Sequence, residues 1–141
     1  MDVSSQEDRD GYVSPPDVKF LTFVEYQGRA AETAQYPKLA VMEALNTPAS
    51  GPIGWIYPAL GLAGETGELV DKLKKILRDQ NGKVGEFTRE AICRELGDIL
   101  WYVAMLAKEL DLELDQVAQV NLDKLADRKQ RGVLGGTGDD R

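Results

Sequence analysis

The sequence predicts an all-α protein, a bundle of four to five helices that is completed by oligomerisation. Apolar residues recur at helical spacing in four long segments, and stretches rich in glycine or proline separate these segments. No segment shows the period-two alternation of a half-buried strand. The 141 residues fit one domain with a modest core, and the apolar helix faces exceed what such a small bundle can cover alone. We therefore expect a homodimer or a homotetramer.

The segments have readable boundaries. Residues 1–16 are polar and are predicted to form a flexible arm. Helices are predicted from near Asp17 to Gln35, from somewhere after Pro58 to about Arg78, from Glu86 or Thr88 to about Leu110, and from Leu114 or Asp115 to about Gln130. Between the first two, residues 38–45 suit a short helix and residues 46–54 are loop. Residues 17–132 thus form one predicted domain, and the glycine-rich residues 133–141 are predicted to be a flexible tail.

Composition restricts the chemistry. The net charge of -7, from 24 acidic and 17 basic residues, makes the chain a poor candidate for binding nucleic acid. It suits either a collector of divalent cations or ordinary solubility. A single cysteine and the lack of histidine exclude disulfides within the chain, zinc sites built from His and Cys, and histidine-based triads. Carboxylates must therefore carry any catalysis.

The sequence also bears on location. Its N-terminus is polar and has no apolar signal-peptide core, and no apolar run reaches the length of a membrane span. We expect a cytoplasmic protein with no membrane partner.

The strongest functional signal is a pattern that occurs twice. Residues 62–69, LAGETGEL, match residues 92–99, ICRELGDI, at an offset of 30. On a helix, the two acids of each copy lie beside the apolar stripe and not on the opposite, solvent-facing side. Four carboxylates from two antiparallel helices repel one another there unless a cation joins them. We predict that Mg²⁺, with Mn²⁺ as a substitute, is bound by Glu65, Glu68, Glu95 and Asp98.

Each copy of the pattern also carries a glycine between its acids. Gly67 and Gly97 occupy helix interiors, where each costs about 1 kcal/mol relative to alanine. We predict that their missing side chains let the two helices approach closely beside the acids.

The sequence resembles the all-α nucleotide pyrophosphohydrolases of the MazG-like branch. The family signature, E-x-x-E, a spacer and E-x-x-D, stands here as Glu65-Thr-Gly-Glu68, then 26 residues, then Glu95-Leu-Gly-Asp98. The segments GLAGETGELVDKLKK, RELGDILWYVAML and NLDKLADRKQRG also look like that branch. The resemblance covers roughly residues 20–132. It implies Mg²⁺-dependent hydrolysis of a nucleoside triphosphate to the monophosphate and pyrophosphate, with one of the four acids activating water. Which acid does so stays open.

Further site residues follow from helical spacing and from the resemblance. Lys72 follows Glu68 by four residues and is expected either to touch phosphate or to pair with Glu68. Tyr102 takes the matching place after Asp98 and either flanks the nucleotide, as an aromatic residue does in relatives, or packs between helices. The resemblance places one face of the last helix over the phosphates, the alternative being a solvated basic face: Asn121, Lys124 and Arg128. Weaker candidates for base recognition are Gln27, Gln35, Trp55 and Tyr57.

Two alternatives stay open. The substrate could be dUTP or phosphoribosyl-ATP, because these activities share the motif. The chain could also be a non-catalytic helical interaction module whose acids bind metal for structure only. The sequence does not distinguish these possibilities.

Overall fold

The structure, a computed structural model, describes residues 21–36 and 54–135, and these residues form helices without any strand. The helices are α1 (Phe23–Glu32), α2 (Ile56–Gln80), α3 (Glu86–Glu109) and α4 (Leu114–Gln130). A short turn joins α2 to α3, which pack along each other as an antiparallel pair. Helix α1 packs against α3 and α4, and α4 also contacts α3. The predicted all-α fold is confirmed.

The later helices match their predicted bounds closely. Helices α3 and α4 begin and end within about one residue of the predicted positions. Helix α2 begins earlier than predicted, at Ile56, and so includes Pro58. The proline is tolerated because it lies in the first turn, where a backbone N–H has no partner within the helix.

Helix α1 is shorter than predicted at both ends. Thr22 caps its N-terminus: the Thr22 hydroxyl accepts a hydrogen bond from the Glu25 N–H at 3.1 Å, and the Glu25 carboxylate accepts one from the Thr22 N–H at 3.0 Å. This reciprocal pair fixes the start of the helix at Phe23, so residues 21 and 22 are not helical. At the other end, the Thr33 N–H and hydroxyl both donate to the Ala30 carbonyl, which closes the last turn.

The glycine-containing stretch between α2 and α3 forms a turn with a defined geometry. Asn81 and Gly82 adopt left-handed conformations, with φ of 51° and 74°. The Gly82 N–H donates to the Ile76 carbonyl at 3.1 Å, an arrangement typical of helix C-termini. This compact turn sets the register in which the two helices face each other.

The hydrophobic core lies where α1 and α4 meet the second half of α3. Its centre is Ala104 and Met105, which are fully buried, and Ala30, Tyr36 and Leu114 pack around them. Along the predicted stripe of α2, Ile76 is buried but Leu73 remains exposed. Large apolar side chains are exposed on all four described helices, among them Val24, Leu60, Leu77, Phe87, Val120 and Leu122. A single chain therefore leaves part of its apolar surface uncovered.

Several predictions concern segments outside the described residues. These are the flexible arm at residues 1–16, the short helix at 38–45 and most of the tail at 133–141. None of the described helices combines the length and the apolar character that a membrane crossing requires.

Candidate functional site

Three of the four predicted acids come together between α2 and α3. Glu65 on α2 and Glu95 and Asp98 on α3 offer carboxylate oxygens that all lie within 4.8 Å of one another. We call these three residues the acidic trio. Glu95 is buried, Glu65 is half-buried and Asp98 is exposed. The two copies of the sequence pattern thus face each other across the helix pair, as their matched register predicts.

Glu95 is the innermost member of the trio. Its side chain lies in the helix interface, and its Oε1 atom is 2.8 Å from the Lys72 ammonium. Its Oε2 atom is buried and has no hydrogen-bond partner among the described residues. A buried acceptor without a partner costs about 1–3 kcal/mol, and more when it is charged. This oxygen therefore has unused capacity to bind a ligand.

The electrostatics of Glu65 show the crowding of negative charge. Burial raises the pKa of the Glu65 carboxyl above its ordinary value, and the charges of Glu68, Asp98 and Glu95 raise it further. The Lys72 ammonium opposes this shift of the Glu65 pKa. The fold therefore holds these carboxylates together despite their repulsion.

The donor set fits a hard divalent cation. All ligand atoms offered by the trio are carboxylate oxygens, which are the ligands that Mg²⁺ and Ca²⁺ prefer. A cation among them would supply the partner that Glu95 Oε2 lacks and would remove the repulsion at Glu65. Glu65, Glu95 and Asp98 are thus the residues that would hold the metal.

Glu68 is placed differently from the other three acids. It is exposed on α2 and is not part of the trio. Its charge nevertheless raises the pKa values of both Glu65 and Lys72, so it lies within electrostatic range of the site. Its role as a metal ligand stays a prediction.

Lys72 pairs across the helix interface rather than along its own helix. Its partner is Glu95 on α3, not Glu68 four residues earlier. The hydrogen bond to Glu95 is the main reason why the pKa of the Lys72 ammonium is raised above its ordinary value. Lys72 therefore contacts the trio directly.

Tyr102 packs between α2 and α3 on the side of the acids. Its ring lies against Gly61, where an added Cβ atom would come within 2.1 Å of Tyr102 Cε1. Burial raises the pKa of the Tyr102 hydroxyl, and Tyr57 and the Glu65 charge add to this effect. The structure thus shows the helix-packing role, next to the acids. Contact with a nucleotide stays a prediction.

The glycine at which the two helices come close is not one of those predicted. No atom outside the local helix lies within 4 Å of a Cβ atom built at Gly67 or Gly97, so the predicted close approach at these positions is wrong. The close approach occurs at Gly61, four residues before Glu65. It depends on the Tyr102 ring, which the spacing of glycines does not reveal.

An aromatic cluster adjoins this packing. Tyr36 stacks on Tyr57 with ring centroids 5.1 Å apart, and Trp101 meets both Tyr36 and Tyr102 edge to face. The Trp101 indole N–H is within hydrogen-bonding distance of the Thr33 hydroxyl, at 2.9 Å. These contacts hold the end of α1 against α3 beside the trio. Tyr57 stacks on Tyr36 in this cluster, but Tyr57 and Trp55 are both exposed.

Gln27 stabilises the fold rather than recognising a base. Its side-chain amide donates to the carbonyls of Leu112 and Ala104, at 3.0 and 3.3 Å. Its side-chain oxygen accepts from the Leu114 N–H at 3.0 Å and so caps the start of α4. The prediction that Gln27 faces inward is right, but its polar atoms already have partners in the fold. Gln35 is exposed.

The predicted phosphate-binding face of α4 is not uniform. Asn121 and Lys124 are exposed, whereas Arg128 is buried. The three residues therefore do not form one solvated basic face. Helix α4 contacts α1 and α3 but makes no contact with α2 within the described part of the chain. Phosphate binding by these residues stays a prediction.

Sequence reasoning missed Tyr26. This half-buried residue of α1 has a raised hydroxyl pKa, first because of burial and second because of the Asp98 charge. Helix α1 thus brings a phenol into electrostatic range of the trio. Its position four residues before the buried Ala30 was the available signal.

Comparison with known proteins identifies the family. The family model described as the MazG nucleotide pyrophosphohydrolase domain matches residues 58–133, more than half of the chain and all four predicted acids. The chain is also 45% identical over 116 residues to the Gene 37 protein of Mycobacterium phage L5, across 82% of this chain and 96% of the phage protein. No solved structure matches it. From its helices, its paired acidic motifs and this match, the chain belongs to the MazG nucleotide pyrophosphohydrolase family.

Proposed function

We propose that this protein is a divalent-metal-dependent hydrolase that converts nucleoside triphosphates into the monophosphate and pyrophosphate. The observation that carries this proposal is the acidic trio, in which Glu95 keeps one buried oxygen without a partner. Membership of the MazG family supports a nucleotide as the substrate. We propose Mg²⁺ as the metal, with Mn²⁺ as a substitute.

The four acids have different proposed roles, which follow from their positions. A bound Mg²⁺ would neutralise phosphate charge and lower the pKa of a bound water. Glu95 is held in the helix interface, so it is the best-positioned ligand. Glu65 and Asp98 complete the trio from the two helices. Glu68 is proposed as a further ligand or as the acceptor of the proton from water, because it is exposed at the edge of the trio.

The proposal is tested by measuring pyrophosphate release from a panel of NTPs and dNTPs with and without Mg²⁺. We expect Glu68→Gln to lower kcat/KM by at least about 100-fold, which is about 2.7 kcal/mol of transition-state stabilisation. The matched control is Glu90→Gln, since Glu90 is an exposed acid of α3 that pairs with Arg94 rather than with the trio. The control should retain activity, and both variants should keep their helical circular dichroism.

The same assay separates the alternatives. Inclusion of dUTP and phosphoribosyl-ATP shows whether the activity is restricted to one of these substrates. A protein that gains thermal stability from Mg²⁺ but turns over no nucleotide would be a metal-binding interaction module. Absence of turnover on every nucleotide contradicts the proposed function.

We also propose that the protein is a homodimer or a pair of dimers. The described helices expose many large apolar side chains, among them Leu60 and Leu77 on α2 and Val120 on α4. A second copy covering these residues would complete the core, as is usual for small helical bundles. Light scattering that finds only the 15.5 kDa species would contradict this proposal.

A further inference from the structure

We propose that Lys72 is a place-holding cation: its ammonium balances Glu95 in the metal-free site and transfers to the phosphates of the substrate when a divalent ion binds. This inference rests on the proposed function for the identity of the phosphates. The part of the inference that concerns Lys72, Glu95 and a divalent ion does not involve a nucleotide. It assigns Lys72 a role at the site that differs from pairing along α2.

The geometry makes Lys72 and a metal ion compete for the same carboxylate. The Lys72 ammonium lies 2.8 Å from Glu95 Oε1, and Glu95 is a member of the trio. A divalent ion coordinated by Glu95 would therefore lie within a few ångströms of the ammonium, and two cations at such a distance repel each other strongly. An ion on the free Oε2 and the ammonium on Oε1 would repel each other across one carboxylate, so the departure of the ammonium favours binding of the ion.

The two partners are not equally free to move. The Glu95 side chain is 11% exposed and is fixed in the helix interface, whereas the Lys72 side chain is 37% exposed. Lys72 also lines a groove of about 260 Å³ between α2 and α3. A lysine ammonium sits on a flexible four-carbon stem, so Lys72 can leave without unfolding either helix.

Other lysines of α2 lack this arrangement. Lys74 and Lys75 both pair with Asp71 on their own helix, although Lys75 lines the same groove as Lys72. Lys72 instead bridges the two helices to a residue that would hold the metal. Removing the charge of Lys72 or of Lys75 changes the net charge of the protein equally, but only the first change reaches Glu95.

The exchange has a thermodynamic consequence. Before nucleotide binds, the Lys72 ammonium opposes the binding of a divalent ion. Once released, it is available to the phosphates of a nucleotide. Metal and nucleotide should therefore bind cooperatively, and each should strengthen the binding of the other by the same factor.

The test uses the full chain and Mn²⁺ alone, titrated without nucleotide and followed by electron paramagnetic resonance. We expect Lys72→Met to lower the Kd for Mn²⁺ by about fivefold or more. The control Lys75→Met and the charge-conserving Lys72→Arg should both stay close to the wild-type Kd. With nucleotide present, Lys72→Met should raise KM and weaken the cooperativity between Mn²⁺ and nucleotide.

Unchanged or weaker Mn²⁺ binding by Lys72→Met overturns the inference, since it would make Lys72 a bystander or a residue that orients Glu95. If Lys72→Met does not fold, Lys72→Gln replaces it. The Mn²⁺ titration needs no turnover. A wild-type protein that hydrolyses no nucleotide refutes the proposed function, whereas an active enzyme whose Lys72→Met variant binds Mn²⁺ as the wild type does refutes only this inference.

Discussion

Two buried polar side chains in this small protein have opposite surroundings. Gln27 on α1 has every side-chain polar atom engaged, with two carbonyls and the first N–H of α4 as partners. Glu95 on α3 has one oxygen paired with Lys72 and the other buried without a partner among the described residues. The amide lies where α1, α3 and α4 meet, and the carboxylate lies in the α2–α3 pair.

The difference separates a side chain that stabilises the fold from one that serves a ligand. A buried group that is fully satisfied by protein atoms contributes to stability in any state of the protein. A buried group with an unused acceptor costs stability until something binds it. On this comparison, the α1–α3–α4 junction is structural, and the α2–α3 pair is the part to which we assign the proposed function.

The largest effect on stability is expected at Gln27. Gln27→Leu removes the partners of the Leu114 N–H and of the Leu112 carbonyl, and these groups lie in or near the core. We expect the free energy of unfolding to fall by about 2–3 kcal/mol, as measured by urea denaturation. The control Gln35→Leu changes an exposed glutamine just beyond the same helix and should have little effect.

The substitution Glu95→Gln tests the other residue of this comparison. It relieves repulsion within the trio, and its side-chain oxygen can still accept a hydrogen bond from Lys72, so the stability of the metal-free protein should stay close to that of the wild type. A loss of stability as large as that of Gln27→Leu would show that Glu95 is a structural residue. The comparison between the two regions would then fail.

A second expected effect concerns the packing beside the trio. Gly61→Ala places a methyl group against the Tyr102 ring, which must shift, so we expect a loss of about 1–3 kcal/mol. Gly64→Ala, one turn further along α2, meets no atom within 4 Å and should stabilise the helix by about 1 kcal/mol. Thermal denaturation of both variants measures the difference. Equal effects at the two positions would refute the close approach at Gly61.

Much of the fold could be predicted because its signals are local. The turn at Asn81 and Gly82 and the periodicity of α3 and α4 lie within a few residues of the features they determine. The convergence of three of the four acids followed from two matching patterns on helices that a short turn makes antiparallel. The capping box of Thr22 and Glu25 was equally local and could have set the start of α1 correctly.

The errors at the site concern contacts between distant segments. Spacing along α2 favours a pair of Lys72 with Glu68, but the register of α3 offers the more buried Glu95 instead. The positions of Gly67 and Gly97 between the acids predicted a close approach there, but the large ring of Tyr102 places the close contact at Gly61. Such outcomes depend on how far one helix is shifted and rotated against the other, which single-helix patterns do not contain.

The smallest expected effect is the pH dependence caused by Glu65. Its carboxyl pKa is raised in the fold, first by burial and then by the neighbouring acids, so the folded state binds this proton more tightly than the unfolded state. The resulting stabilisation is fully present below the ordinary pKa of a glutamate and is lost as the pH rises through the raised value. Because Glu65 is only half-buried, we expect a loss of a few tenths of a kcal/mol for the metal-free protein. Glu65→Gln should remove the contribution of Glu65 to the difference in melting temperature between pH 4 and pH 7, whereas Glu90→Gln should leave that difference unchanged. If Glu65→Gln kept the pH dependence of the wild-type protein, another group would cause it. The repulsion at Glu65 would then no longer support the binding of a cation by the trio.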